Sequence, residues 1–452
     1  MKKTVRMYGL KLVMVLVGIV LMFGACAEES STPIDNSNDG MNFKFAVMSD
    51  VHLLAQSLTT PLDPSEVYFE YGRKLLQQSE SILEAMTNKI IASDADFVLV
   101  PGDLTKDGEK ISLEALAGYL QRIEASGKEV YVVPGNHDIS NSWAENYSSG
   151  NSVSTPNVST AEFESIMGAY GYAQAINRDP NSMSYVAEPV EGLVILAIDA
   201  GRYEENVPGE ESVIGGKIKE STLTWANDQI GMAVDEGKTV FALMHFGLVE
   251  HFTSQSTFEI SSDYVVENWQ QIADNFAARG VKVAFTGHFH ANDIVKHNNA
   301  TDWLFDVETG SAISAPSAWR MCEVSNSDIL EIKTNHITNI DFDLGGENFV
   351  EYSTRVYHEG MYNLIVYTLV QLFGVDATVA GQIAPSISEA WLTHYKGDET
   401  TTPQLQGLID LLMGSGDQTQ QYLGTILISM LTDLPPQDNN IKINLTSGDV
   451  IP

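Results

Sequence analysis

The sequence predicts an α/β fold that is followed by an all-helical C-terminal appendage. Between residues 43 and 337, apolar strands alternate with amphipathic helices, and several strands are apolar without interruption. Uninterrupted apolar strands are typical of buried, mainly parallel sheets that helices cover. After about residue 344, helical spacing of apolar residues replaces the strand pattern. With 452 residues, 44% of them hydrophobic, the chain can form one large domain and a smaller one, or two to three ordinary domains.

Short apolar runs predict the strands, and apolar residues three, four or seven positions apart predict the helices. The predicted strands are residues 43–49, 97–100, 129–133, 184–187, 193–199, 239–244, 281–286, 303–307, 319–324 and 329–337. The predicted helices are residues 72–92, 109–125, 222–235 and 264–278, and in the appendage residues 350–373, 377–395, 403–413 and 419–431. The appendage as a whole is assigned to residues 345–434. The tail, residues 435–452, is predicted to be extended or disordered.

The N-terminus is predicted to be a targeting segment. Basic residues precede an apolar stretch over residues 12–23, and small residues precede Cys26. This arrangement is similar to a bacterial lipoprotein signal, residues 1–26, with lipid attached to Cys26. An ordinary secretory signal or a membrane anchor is the alternative. Residues 27–42 are polar, and this composition predicts a flexible tether. We therefore expect an extracytoplasmic protein that is lipid-anchored to the bacterial cell envelope.

The charge and the cysteines exclude several classes of function. The formal net charge of −35 repels nucleic acid and anionic membrane surfaces, so we expect no nucleic-acid partner and membrane contact through the lipid anchor only. The chain has two cysteines, Cys26 and Cys322. Two cysteines cannot form a disulfide framework or a cysteine-rich zinc site.

Five short polar motifs follow predicted strands, at the points where those strands end. The motifs read Asp50-Val51-His52, Gly102-Asp103, Gly135-Asn136-His137-Asp138, His245 and Gly287-His288-Phe289-His290. Because ligands gather at the carboxyl ends of strands in α/β sheets, we expect the motifs to converge. Their carboxylate, imidazole and amide groups form a mixed oxygen and nitrogen ligand set, which suits Mn, Fe or Zn ions.

Seven residues of these motifs are candidate metal ligands: Asp50, His52, Asp103, Asn136, His245, His288 and His290. Seven ligands are too many for one tetrahedral ion and about right for two ions that share a ligand. The sequence therefore predicts a dinuclear centre that holds two divalent or trivalent transition-metal ions. Such centres commonly hydrolyse phosphate esters. The alternative is that the five motifs are unrelated turns.

The motifs, written SDVH, GDLTKDGE, GNHD, HFG and GHFH, resemble those of the calcineurin-like metallophosphoesterase superfamily. The resemblance covers roughly residues 43–340, and no predicted ligand departs from it. It implies a four-layer αββα sandwich, whose second sheet the periodicity does not indicate. Purple acid phosphatases carry a tyrosine ligand three positions after the bridging aspartate. That position is Lys106 here, so a tyrosinate-bound ferric ion is not expected.

The resemblance also implies a role for each residue of the motifs. One metal would be bound by Asp50, His52 and His290, the other by Asn136, His245 and His288, and Asp103 would bridge the two. His137 would assist the departing oxygen, and Asp138 would orient His137.

The expected function is hydrolysis of a small phosphomonoester or phosphodiester, nucleotides included, by a hydroxide that bridges the metals. One alternative is a protein serine/threonine phosphatase, which needs an open site. The other is a catalytically silent envelope-binding lipoprotein, which would be expected to lack a ligand or His137. Candidate substrate-lining residues are His251, Tyr357 and Tyr362, with the tyrosines in a helical lid. The corresponding alternatives are an exposed loop histidine and aromatic residues of the core.

Overall fold

Two seven-stranded sheets form the centre of the fold in the computed structural model, which describes residues 41–59, 72–326 and 328–452. The predicted signal segment with Cys26, and residues 27–40 of the predicted tether, lie outside the described residues. None of the described helices has the length and apolar content needed to cross a bilayer.

The strands, in chain order, are β1 (Phe43–Val47), β2 (Phe97–Pro101), β3 (Glu129–Val133), β4 (Glu145–Asn146), β5 (Val153–Ser154), β6 (Asn177–Arg178), β7 (Tyr185–Val190), β8 (Leu193–Ile198), β9 (Thr239–Met244), β10 (Val281–Thr286), β11 (Asp293–Asn298), β12 (Trp303–Glu308), β13 (Ala318–Ser325), β14 (Ile329–His336), β15 (Asn440–Asn444) and β16 (Val450–Ile451). The helices are α1 (Ser79–Ala92), α2 (Lys110–Ala125), α3 (Thr160–Met167), α4 (Glu220–Asp235), α5 (Trp269–Arg279), α6 (Phe349–Gln371), α7 (Ala377–Lys396), α8 (Pro403–Met413) and α9 (Gln418–Met430).

The first sheet has the order β16-β15-β14-β13-β1-β2-β3, and the second has the order β11-β12-β10-β9-β8-β7-β6. In the first sheet β1, β2 and β3 run parallel, and β13 to β16 are antiparallel to their neighbours. In the second sheet β8, β9, β10 and β12 run parallel. In the second sheet the parallel strands therefore all lie inside the sheet, whereas in the first sheet the parallel strand β3 forms one edge. Apolar side chains on both faces of the inner strands can be buried.

Aromatic side chains join the two sheets face to face. The ring of Phe45 in β1 stacks on Phe97 in β2 with 5.0 Å between centroids. The same ring meets Phe285 of β10 edge-on, at 5.2 Å. Helices α1 and α2 cover the outer face of the first sheet, and α4 and α5 cover the second. The predicted α/β class with four αββα layers is confirmed.

The four C-terminal helices begin where a polar side chain caps the first turn. The side chains of Asn348, Asp376, Thr402 and Asp417 accept hydrogen bonds from backbone N–H groups of α6, α7, α8 and α9. Such caps satisfy N–H groups that have no partner inside a helix. The apolar faces of the four helices share one core, to which Phe252 and Phe289 from loops of the second sheet also belong. The predicted C-terminal helical region is therefore present.

Two predicted helices begin later than their apolar spacing indicates. The helix predicted for residues 72–92 begins at Ser79, after a short 3₁₀ turn. The helix predicted for residues 264–278 begins at Trp269, because Asn268 adopts a left-handed backbone with φ of 61°. The last residues of the chain return to the first sheet, where Ile443 of β15 pairs with Leu330 of β14.

Candidate metal centre

The five motifs lie in the loops that follow β1, β2, β3, β9 and β10. These strands are parallel within their sheets, so their carboxyl ends meet along one edge of the sandwich. Glycine allows the loops to approach closely. A Cβ atom on Gly135 would lie 2.1 Å from Asp103 Oδ1, and one on Gly287 would lie 2.4 Å from Asp50 Oδ2. Both contacts are too short for any other residue, so these glycines are required for the loops to converge.

Backbone strain is concentrated at the predicted ligands. Five of the seven adopt positive φ although none is glycine: Asp50 (50°), His52 (38°), Asp103 (47°), His288 (76°) and His290 (73°). Such conformations cost on the order of 1–3 kcal/mol each and persist only where the surroundings enforce them. Strain of this kind is common where side chains must point in one direction for function.

The first group of ligand atoms belongs to Asp50, His52, Asp103 and His290, and all four residues are buried. His52 Nε2 lies 3.1 Å from His290 Nε2 and 3.4 Å from Asp103 Oδ2. His290 Nε2 is also 3.3 Å from Asp50 Oδ1. Two aspartates and two histidines therefore direct donor atoms at one small volume.

The second group belongs to Asp103, His245 and His288, which are also buried. His245 Nε2 lies 3.3 Å from Asp103 Oδ1 and 3.2 Å from Asn136 Oδ1. Its other ring nitrogen, Nδ1, is 2.8 Å from the carbonyl oxygen of Pro101, a contact that fixes the ring. The structure thus brings all seven predicted ligands to one site, with one oxygen of Asp103 facing each group.

The donor set fits two metal ions. Burial lowers the pKa of His52 and His288 well below the ordinary value, and it lowers the pKa of His290 to about 4. These three imidazoles are therefore neutral, which is the form that binds metal. Burial also opposes the charge on His245, but the carboxylate of Asp103 outweighs it and raises the pKa of His245 to about 9. A cluster of this composition is compatible with two transition metals that share Asp103.

His137 lies beside the two groups, and Asp107 holds its ring. His137 Nδ1 is 2.7 Å from Asp107 Oδ1, and its side chain remains 25% exposed towards the cavity. Asp107 also accepts a hydrogen bond from Asn141 Nδ2 at 3.2 Å. Burial acts to raise the pKa of Asp107, but the ammonium of Lys106 and the contact with His137 together outweigh burial, so the pKa is lowered and the carboxylate stays ionised.

The prediction that Asp138 orients His137 is corrected by this geometry. The carboxylate of Asp138 accepts hydrogen bonds from the backbone N–H groups of Leu104, Thr105 and Gly135. It therefore braces the loop that carries Asp103, whereas Asp107 contacts the imidazole. The sequence GDLTKDGE contains Asp107, but nothing in its spacing indicates that it reaches His137 thirty residues later.

A cavity of about 180 Å³ opens onto the metal ligands. Its lining includes Arg73 and Lys74, two cations that sequence reasoning missed. Lys74 Nζ is 3.4 Å from His52 Nδ1, and burial lowers the pKa of Lys74 to about 8 although Asp103 acts against this. Arg73 Nε donates to the hydroxyl of Tyr395 at 3.1 Å. The sequence feature that could have indicated these two residues is a pair of adjacent cations in a strongly acidic chain.

The three predicted substrate-lining residues lie elsewhere. His251 is fully buried, with Nδ1 2.9 Å from Asp293. Tyr357 is buried in the helical core, and Tyr362 is exposed beside a different surface pocket. These predictions are corrected: the aromatic residues that line the metal cavity are Trp143 and Tyr264.

Comparisons with known proteins identify a family and solved structures that resemble this chain. A family model described as calcineurin-like phosphoesterase matches residues 43–292. A dimetal phosphatase from Danio rerio is 14% identical, with a TM-score of 0.48 over 65% of this chain and 96% of that one. The purple acid phosphatase PPD1 from yellow lupin (Lupinus luteus) seeds is 12% identical, with a TM-score of 0.38 over 66% of this chain and 52% of that one. No curated protein matches the sequence.

Proposed function

This chain belongs to the calcineurin-like phosphoesterase family and is a metal-dependent phosphoester hydrolase, and from that premise we propose that its substrate is a small phosphomonoester or phosphodiester. The ions are of the Mn, Fe or Zn type, because imidazole, carboxylate and amide donors suit them. The observation that carries the proposal is the position of Asp103, whose two oxygens lie 3.4 Å and 3.3 Å from a histidine of each ligand group.

When bound, the two ions would supply positive charge for the phosphoryl oxygens and lower the pKa of a bound water towards about 7. One ion would be held by Asp50, His52 and His290, the other by Asn136, His245 and His288, and both by Asp103. Because the ligand loops are buried and strained into place, the donor atoms need little rearrangement to bind the ions.

His137 is suited to donate a proton to the departing oxygen. Asp107 accepts from Nδ1, which leaves Nε2 directed at the cavity, 3.9 Å from Asp103 Oδ2. A proton transferred from Nε2 to the ester oxygen would let the alcohol leave neutral as the P–O bond breaks. The carboxylate of Asp107 would stabilise the imidazolium before the transfer.

Arg73 and Lys74 are suited to bind the remaining phosphoryl oxygens. Both line the cavity beside the ligands, in a chain whose formal net charge is −35. Phosphate would therefore be attracted by this site and repelled by most of the surface. The small volume of the cavity, about 180 Å³, favours a compact ester over a phosphorylated protein as the substrate. A silent binding protein is disfavoured because neither a ligand nor His137 is missing.

A substrate panel with the metal-reconstituted protein tests the proposal. Alkyl and aryl phosphomonoesters, phosphodiesters, nucleotides and a phosphoserine peptide would be compared after loading with Mn²⁺, Fe²⁺ or Zn²⁺. We expect hydrolysis of small esters and little of the peptide. His137→Ala should keep two metals and lose roughly 10²–10⁴-fold in rate, with a smaller loss on aryl esters, whose leaving group needs less protonation. A metal-loaded protein that hydrolyses only the peptide would overturn the proposed substrate class.

A further inference from the structure

A second cavity, of about 170 Å³, lies against the metal cavity, within the core of the helical region. We call it the apolar cavity. Arg73 and Tyr264 line both cavities, so the two spaces share part of a wall. The rest of the apolar cavity is formed mainly by side chains of α6, α7 and α9, such as Leu369, Ile387 and Leu423.

One residue of the shared wall, Tyr264, is aromatic and contacts a metal ligand directly. The ring of Tyr264 lies 4.7 Å from that of His288 and 4.8 Å from that of Phe289. Phe289 stands between the ligands His288 and His290 in sequence and lines the apolar cavity. A molecule in the apolar cavity would therefore lie one ring away from a phosphate at the metal ligands.

The chemistry of the lining selects an apolar occupant. Among the described residues that line this cavity there is no carboxylate, and the only cation is Arg73, at the boundary with the metal cavity. The hydroxyl of Tyr395 accepts the hydrogen bond from Arg73 Nε, so one polar group of the wall is already satisfied by another. A charged or strongly polar group placed deeper would lose its water without gaining partners.

The size of the cavity sets the size of the occupant. Cavities of about 150 Å³ lined by Leu, Ile and Phe stay dry and bind molecules such as benzene. The apolar cavity, at about 170 Å³, therefore has room for an aromatic ring or for a chain of about six carbons.

We infer that the apolar cavity binds the hydrocarbon part of the substrate's alcohol, so that the substrates are phosphate esters of hydrophobic alcohols. The inference rests on the proposed function and narrows it to one class. The phosphate lies at the metal ligands with Arg73 beside it, and the alkyl or aryl group passes Tyr264 and Phe289 into the helical core. The helical region then acts as a specificity element, built from α6, α7 and α9.

The test is a series of n-alkyl phosphates, from ethyl to octyl, assayed with the metal-reconstituted wild-type protein. Burial of each methylene should raise kcat/KM about fourfold. From ethyl to hexyl the gain should be on the order of 10²-fold, and it should level off near six carbons, where the cavity is full. A parallel arm with a lysophospholipid monoester in mixed micelles distinguishes a membrane lipid from a soluble alkyl ester as the source of the hydrocarbon.

Leu423→Trp, which fills the apolar cavity, should abolish the dependence on chain length. Leu427→Phe serves as a second, milder filling variant if the first does not fold. Leu411→Trp is the matched control, because Leu411 is 66% exposed on α8 and does not line the cavity; it should keep the dependence.

The outcomes separate this inference from the proposed function. Equal kcat/KM for ethyl and octyl phosphate in the wild-type protein would overturn the apolar cavity as a binding site while leaving phosphoesterase activity intact. Chain-length dependence that survives in a folded cavity-filling variant would overturn it as well. Absence of hydrolysis of every ester by a protein that holds two metals would instead refute the proposed function.

Discussion

The metal centre and a second buried cluster contain the same two kinds of side chain in opposite arrangements. The second cluster, which we call the ionic cluster, consists of His251, Asp293, Asp306, Glu308, His394 and Glu399. At the metal centre two imidazole nitrogens face each other at 3.1 Å. In the ionic cluster both nitrogens of His251 face carboxylates, Asp293 at 2.9 Å and Asp306 at 3.3 Å.

The electrostatic consequences differ accordingly. Burial acts against the charged form of every one of these histidines. At the metal centre the effect of burial prevails and lowers the pKa of His52, so a ring nitrogen of His52 keeps a lone pair that can bind a metal. At His251 the carboxylates of Asp293 and Asp306 outweigh it and raise the pKa well above the ordinary value. Neutral histidines that face each other can therefore bind a metal ion, whereas a histidine between carboxylates binds a proton and its positive charge is balanced by those carboxylates.

The largest effect should follow from the bridging carboxylate. Asp103→Asn should leave fewer than two ions per chain and reduce the rate by more than about 10²-fold, because changes outside the ligand shell already cost ~10–100-fold. Asp293→Asn is the matched substitution in the ionic cluster and should keep both metals. Elemental analysis and initial rates measure both effects. Two tightly bound ions in Asp103→Asn would contradict the shared-ligand arrangement.

A smaller effect is expected for the carboxylate that holds His137. Asp107→Asn should keep both metals and lose roughly 10–100-fold in rate, because Asp107 acts through the imidazole. The double variant with His137→Ala should be no slower than His137→Ala alone, since residues that act as a unit are not additive. A double variant that shows the full product of both losses would assign Asp107 an independent role.

The smallest effect on rate should come from the ionic cluster. His251→Gln should keep the rate per folded molecule and two metals, but lose about 3–5 kcal/mol of stability, because it leaves buried carboxylates without their partner. The raised pKa of His251 also determines how the difference in stability between the wild type and His251→Gln changes with pH. The contribution of His251 is complete below about pH 6.5, where the unfolded chain is protonated too, and it declines as pH rises towards the folded pKa.

Denaturant unfolding of both proteins at pH 5.5, 7 and 8.5 measures that difference. The gap between wild type and His251→Gln should be largest at the lowest pH. A gap that widens with increasing pH would mean that His251 is neutral in the folded protein, as His52, His288 and His290 are.

The metal centre could be predicted from the sequence because its ligands occupy short motifs at strand ends. Spacing indicated convergence, since parallel strands end along one edge. The same reasoning identifies His245 as a ligand but predicts that His251, six residues later, lines the substrate pocket, because the sequence does not state which imidazole meets carboxylates. The family resemblance implies that Asp138, the next residue in sequence, orients His137, whereas the structure places Asp107 against the ring. Adjacency in sequence is visible, whereas a contact between two loops is not.

The fold was predicted less completely. Alternation of strands and helices gave the α/β class, but the second sheet came from the family resemblance, since periodicity does not indicate which strands pair. The tail is predicted to be extended or disordered, and part of it is extended in β15, where Ile441 and Ile443 alternate with polar residues and are buried. The prediction does not include the pairing of β15 with β14. The tyrosines of α6 could not be oriented, because one helix presents several faces and packing selects among them.

The return of β15 to the first sheet has a consequence for how the protein is made. Roughly a hundred residues, including all four C-terminal helices, separate β14 from the strand that covers its edge. At ~5–20 residues per second, a ribosome needs on the order of 5–20 s to synthesise that interval. During this time β14 exposes an unpaired edge to any other strand in reach. The first sheet is complete only when residues 440–451 have been synthesised, so the edge of β14 exposes the nascent chain to aggregation until then.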